Sequence, residues 1–196
     1  MREQRDRYPP LPLPATDLSV FEPPAQAVSS VFSGSIEVVE RTLYGESLEL
    51  LEERLRGRRG PAAARVRNQI GVLHARFGRD REAQAAFTLC LAEQPELTAA
   101  YLNLANLKLL QGELEEAAEV ARAGLKRDPD SALLNVFLAL YHSRRGESGK
   151  ASVYLDKVRS RSPELARRYG YLADSSSARA RAGRQEEPSL IWDSGE

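Results

Sequence analysis

An all-α fold is predicted by the sequence: an α-solenoid of helix–turn–helix repeats, about three full repeats with helical caps. Three observations carry this. Gly78, Gly112 and Gly146 stand 34 residues apart, as do Ala83, Ala117 and Ala151, and Pro95, Pro129 and Pro163. A fixed period of this size marks a stacked array of small units, none of which buries its apolar face alone. Each unit also places an amphipathic segment on either side of its glycine. Finally, every recurring residue type has a physical reason to be where it is. Glycine adopts positive φ in the turn without a Cβ clash. Small residues, Gly71/Ala105/Ala139 and Ala83/Ala117/Ala151, let two helix backbones approach. Proline cannot continue the helix that precedes it.

The elements follow in order. Residues 1–29 hold six of the eleven prolines, and proline neither donates a backbone hydrogen bond nor leaves φ free. This arm is expected to be extended, either flexible or docked on the array through Leu18 to Phe21. Residues 34–60 are expected to form N-terminal capping helices, a degenerate repeat. Ile36, Val39, Leu43, Leu48, Leu51 and Leu55 recur at three- and four-residue steps. Gly45 is expected to split this segment and Gly57 to end it. Arg56-Gly57-Arg58-Arg59-Gly60 reads as a solvated basic turn. The three repeats occupy 64–97, 98–131 and 132–165. Tyr169, Leu172 and Ala173 then open a fourth unit that lacks its second helix, so 164–183 is expected to be a closing cap. Residues 184–196 form a polar tail, expected to be disordered, that carries the apolar triplet Leu190-Ile191-Trp192 and the only tryptophan.

Composition excludes several function classes. The 196 residues have a formal net charge of +0, which argues against binding nucleic acid through bulk positive charge. One cysteine and two histidines do not make a disulfide framework or a metal cluster. No apolar run approaches the roughly 20 residues that span a bilayer, so no membrane insertion is expected. The charged start lacks the apolar stretch of a signal peptide. The expected compartment is the cytoplasm, or the periplasm or exterior if the chain is a mature form or a fragment.

No catalytic motif is present, so neither an enzyme nor a cofactor is expected. His74 and His142 share one phase that faces a neighbouring helix, and packed structural roles are expected for both. Cys90 stands where a small buried residue is wanted. Glu113, Glu115, Glu116 and Glu119 lie near a helix start and Arg144-Arg145 near a helix end, each placement favourable to the helix dipole.

The repeats resemble the tetratricopeptide repeat family. The second unit carries Tyr101, Leu104, Ala105, Gly112, Ala117, Ala121, Gly124 and Pro129. The first has Ile70, Gly71, Gly78, Ala83, Phe87, Cys90 and Pro95, with Arg67 in place of the opening aromatic. The third has Leu138, Ala139, Gly146, Ala151, Leu155, Val158 and Pro163, opened by Asn135. The resemblance covers about half the chain. It implies a protein-interaction scaffold that binds a partner peptide or protein on the concave face of a superhelix. The groove residues it implies are Arg65, Asn68, Gln69, Val72 and Arg76; Leu102, Asn103, Asn106 and Leu110; and Leu133, Phe137, Leu140 and Arg144. Asparagines there would hold a peptide backbone, and Leu102, Phe137 and Leu140 would form an apolar floor. Leu133 and Phe137 stand where chaperone-binding members carry cations, and Val72 replaces a clamp asparagine, so a chaperone tail is not the expected ligand. Two alternatives stand beside the scaffold. One is a self-associating subunit, a homo-oligomer or a chain whose groove holds its own tail. The other is an accessory interaction domain of a larger multidomain protein.

Overall fold

Helix follows helix through residues 25–173 of a computed structural model, which describes these residues and Trp192. In order they are α1 (Ala25–Leu55), α2 (Pro61–Arg76), α3 (Asp80–Glu93), α4 (Thr98–Leu110), α5 (Leu114–Arg127), α6 (Ala132–Arg144), α7 (Ser148–Arg161) and α8 (Pro163–Tyr169). A 3-10 turn, Gly170–Ala173, follows α8. No strand occurs among the described residues, and none of their helices is long and apolar enough to cross a membrane. Residues 1–24, 174–191 and 193–196, and with them most of the expected arm and tail, lie outside the described residues.

Two expectations about the N-terminal region are corrected. The helix begins at Ala25, behind Pro23-Pro24, and so takes in the last residues assigned to the arm. It also runs unbroken through Gly45. An interior glycine costs a helix about 1 kcal/mol relative to alanine, too little to break a 31-residue helix that is anchored further along. The chain divides into two compact units between Leu43 and Tyr44. In the first, Thr42 Oγ1 donates to the Val38 carbonyl at 2.9 Å, and Val38, Val39 and Leu43 are exposed. In the second, Leu48, Leu51 and Leu55 pack on Val66, Ile70 and Ala86 of α2 and α3. Only the later half of the expected apolar stripe is therefore used in that core.

Each repeat closes its turn in the same way. Gly78, Gly112 and Gly146 have φ of +67°, +80° and +73°. The next residue's N–H then reaches back to a carbonyl of the first helix: Arg79 to His74, Glu113 to Lys108 and Glu147 to His142, all at 2.9 Å. These bonds satisfy carbonyls that a helix end leaves orphaned, and they need the left-handed residue that glycine supplies. Ala83, Ala117 and Ala151 follow, fully buried against the first helix of their unit. Their N–H groups bond Arg79, Glu113 and Glu147 carbonyls at 2.9, 2.9 and 3.0 Å.

The unlike residues that open the repeats each find a separate use. Arg67 pairs with Glu93 of α3 at 2.5 Å. Tyr101 lies over Gly124 of α5. Asn135 Nδ2 donates to the Ser131 and Pro129 carbonyls at 2.8 and 3.2 Å, tying α6 to the proline corner before it. At the repeat junctions Arg127 pairs with Glu96 at 3.2 Å, and Arg161 pairs with Asp130 in the equivalent place. Both pairs are solvent-exposed and contribute little. Packing instead joins the units. Leu102, Ala105, Ala117, Ala118, Ala121, Leu134, Phe137, Leu138 and Tyr141 form one buried cluster across α4, α5 and α6. At the C-terminal end Ala166, Tyr169 and Leu172 cover Val136, Ala139, Ala151, Leu155 and Val158. Ser162 Oγ accepts from the Leu165 N–H at the start of α8, with Pro163 in the first turn.

Close approach sets the tolerance of these helices to added atoms. A Cβ at Gly124 would stand 2.7 Å from Leu134 Cδ1 and 2.8 Å from Tyr101 Cβ. Gly124→Ala gains about 1 kcal/mol of helix propensity but overpacks a site whose neighbour is anchored to its own backbone, at a cost of about 1–3 kcal/mol. We expect a lower melting temperature. Gly45→Ala, where a Cβ meets nothing within 4 Å, should leave the melting temperature unchanged or raise it. Ala117→Leu should fall with Gly124→Ala. A thermal melt in which Gly124→Ala is as stable as the parent would refute the packing described.

Candidate functional site

The first helices of the three repeats, α2, α4 and α6, lie side by side. Positions that recur build the fold, so the positions that differ along this row are the ones able to specify a ligand. Asn103 of α4 donates through Nδ2 to Asn68 Oδ1 of α2 at 2.9 Å. Both amides are fully buried, and Asn106 is 2% exposed. Gln69 is half-buried beside Asn68. None of these four side chains is without an interaction. Buried amides persist only when hydrogen-bonded, and each carries both donors and acceptors, the complement of a peptide backbone.

The other expected groove residues divide into three groups. Arg65, Arg76 and Arg144 are exposed, and the described residues place no acid in ion pair with them. Val72, Leu133 and Leu140 are half-buried at the edges of core clusters, while Leu110 is 56% exposed at the end of α4. Leu102 and Phe137 differ from expectation. They are 4% and 5% exposed and belong to the cluster that joins α4, α5 and α6. The physical reason is that their phase points into the seam between neighbouring first helices. They are core, and the expected apolar floor is corrected accordingly.

A different apolar seat is present. Trp192 packs on the cluster of Ala75, Ala83, Phe87 and Leu107, beside Val72 and Leu104. The sequence singles out Trp192 as an apolar residue in a polar tail. The seat itself is invisible there, because Ala75, Leu104 and Leu107 come from two helices and each reads as ordinary helix-face packing.

The histidines are structural. His142 stacks on Tyr154 with ring centroids 5.4 Å apart, and its Nδ1 lies 2.7 Å from Glu147 Oε2. Lys108 occupies the same phase one repeat earlier and holds Glu113 and Glu116 at 2.5 and 3.1 Å. In the first repeat the acid is replaced by Arg79, and Tyr44 of α1 serves instead. Its hydroxyl lies 3.0 Å from His74 Nδ1, and Arg79 sits over its ring. Burial lowers the His74 pKa. Tyr44 went unnoticed in the sequence because it stands outside the 34-residue register. Cys90 is fully buried beside Ala64 and Ala100, and burial pushes its thiol up to about 11, which makes it unreactive. Glu115 accepts from Tyr141 and pairs with Arg145. Among the described residues no group of three or more His, Cys, Asp or Glu is placed to hold a metal ion.

Residues 75–141 match the tetratricopeptide repeat family. Two solved structures share the architecture. One is a tetratricopeptide repeat protein from Parabacteroides merdae ATCC 43184, at 19% identity and a TM-score of 0.58, over 82% of this chain and 63% of that one. The other is YrrB, a TPR protein with an unusual peptide-binding site, at 20% identity and a TM-score of 0.51, over 77% of this chain and 71% of that one. The chain thus spans less than two thirds of the first structure's length. No curated protein matches the sequence.

Burial gives Phe137 a different role in mutagenesis from the one the sequence suggests, which is weaker binding with little loss of stability. Phe137→Ala should lower stability by about 3–5 kcal/mol, the usual range for emptying a buried aromatic site. Urea unfolding checks this, and a loss under 1 kcal/mol, on the order of an exposed substitution, would return Phe137 to the open face. Acid stability gives a second check. Hydrogen bonds from His142 and then Lys150 hold the Glu147 carboxyl down to about 2 from its ordinary 4.5. The stabilisation is therefore complete above pH 4.5 and is lost as pH falls towards 2. Glu147→Gln should melt lower than the parent at neutral pH, with the gap closing across that window. A gap independent of pH would rule out the carboxylate as its cause.

Proposed function

We propose that this chain, whose residues 75–141 match the tetratricopeptide repeat family, is a protein-interaction module whose α2–α4–α6 face holds an extended segment of a partner protein. The observation that carries this reading is the row of first helices, α2, α4 and α6, side by side, with Val72 and Leu140 half-buried and Arg65, Arg76 and Arg144 exposed on them. Asn68 and Asn103, fully buried and bonded to each other, tie α2 to α4 beneath that face. Val72 and Leu140 then offer apolar contact, and Arg65, Arg76 and Arg144 attract acidic side chains. The shared fold of YrrB, described as having a peptide-binding site, supports the reading at the level of fold alone. The zero net charge favours a polypeptide ligand over a nucleic acid. The role is binding, with no catalytic step.

Site-specific photocrosslinking tests it. A crosslinking residue at Arg76 or Arg144 should capture a partner polypeptide. One at Leu89 or Val153, which are exposed on α3 and α7, should not. Capture from all four positions alike, or from the second helices only, would move the binding surface elsewhere.

A further inference from the structure

We propose that the C-terminal segment 184–196 is an intramolecular ligand of the α2–α4 face, anchored by Trp192, and that a partner must displace it. This rests on the reading of that face as a binding surface and adds its resident occupant. Trp192 packs on Ala75, Ala83, Phe87 and Leu107, beside Val72 and Leu104. Val72 is one of the positions that the family resemblance assigns to the groove, and Ala75 lies one turn further along the same helix. Leu104 and Leu107 are on α4, which supplies Asn103 and Asn106. The indole therefore packs on the two first helices, α2 and α4, that carry that face.

Three considerations favour the chain's own tail over a second copy. The first is reach. Eighteen residues separate Ala173 from Trp192, and at about 3.3 Å per residue they extend to about 60 Å. The distance needed is far less: α6 is two helix neighbours from α2, at about 10 Å per step. The second is concentration, since a short tether presents its end at about millimolar levels. The third is charge. Glu186, Glu187, Asp193 and Glu196 oppose a single Arg184 in the segment, and Arg65 and Arg76 are exposed on α2. An aromatic side chain carries the largest contact area for its entropy cost, so one tryptophan is a sufficient anchor for a weak, displaceable dock.

Trp192 is the only tryptophan, so its fluorescence reports the dock directly in the intact chain. Its emission should lie to the blue of a synthetic peptide of residues 184–196 and resist acrylamide quenching, independently of protein concentration. Val72→Glu, which places a charge beside the seat, should move the emission to that of the peptide. Circular dichroism establishes whether that variant is folded; Arg76→Glu, at an exposed position, serves if it is not and should speed quenching. The labelled peptide 184–196 should bind the full-length Trp192→Ala variant more tightly than the parent. A tail docked in all but about a tenth of molecules weakens an added ligand about tenfold. An indole as accessible as in the free peptide would overturn the proposal. So would equal peptide binding by the two proteins. Protection lost on dilution would assign the seat to a second copy and overturn the intramolecular form. Photocrosslinking at Arg144 does not depend on Trp192. An accessible indole with crosslinking intact would therefore remove the tail as occupant and leave the binding face standing.

Discussion

The distance between the two helices of a repeat is the constraint on which the rest depends. At Gly71 an added Cβ would fall 2.5 Å from the Phe87 ring, and at Gly124 it would meet both Tyr101 and Leu134. Ala83, Ala117 and Ala151 are fully buried at the matching place on the second helices. Helices this close leave no room for a looser connection, so each turn must reverse within a few residues. A glycine at positive φ does that and also satisfies the carbonyls at the end of the first helix. Close pairing thus determines turn chemistry, and turn chemistry repeated at 34 residues determines the stacking.

Stacking has a consequence for the face made by α2, α4 and α6. Where neighbouring first helices meet, a side chain either enters the seam or stays on the open side. Phe137 and Leu102 enter the seam and join the core. Asn68 and Asn103 meet across it and bond each other. That bond satisfies two buried amides at once and joins α2 to α4. Arg65, Arg76 and Arg144 stay on the open side, exposed.

Local chemistry varies around a constant frame. The phase that ends the first helix holds His74, Lys108 or His142, and the residue five positions on holds Arg79, Glu113 or Glu147. In two repeats this makes a cation or imidazole beside a carboxylate. In the first repeat two basic groups would face each other, and Tyr44 intervenes with its hydroxyl and its ring. The frame accepts each solution because the backbone bonds of the turn are the same in all three.

The spacing of Gly, Ala and Pro was enough to determine the repeat, its period and its helix–turn–helix content, because those residues act through backbone geometry within a few positions of themselves. The structural use of His142 and the inertness of Cys90 were legible for the same reason: each stands at a phase whose direction the helix period dictates. Gly45 misled because a single glycine is a weak breaker and the packing of Leu48, Leu51 and Leu55 lies further along. The site was legible only in part. Asn68, Asn103 and Asn106 could be chosen as the residues that do not recur, but Phe137 and Leu102 could not be recognised as core. Which side of a seam a residue takes depends on how two helices from different repeats approach. The seat under Trp192 was decided by tertiary structure alone. It joins side chains from α2, α3 and α4 to a residue more than 80 positions away from any of them, and no local rule links groups that only folding brings together.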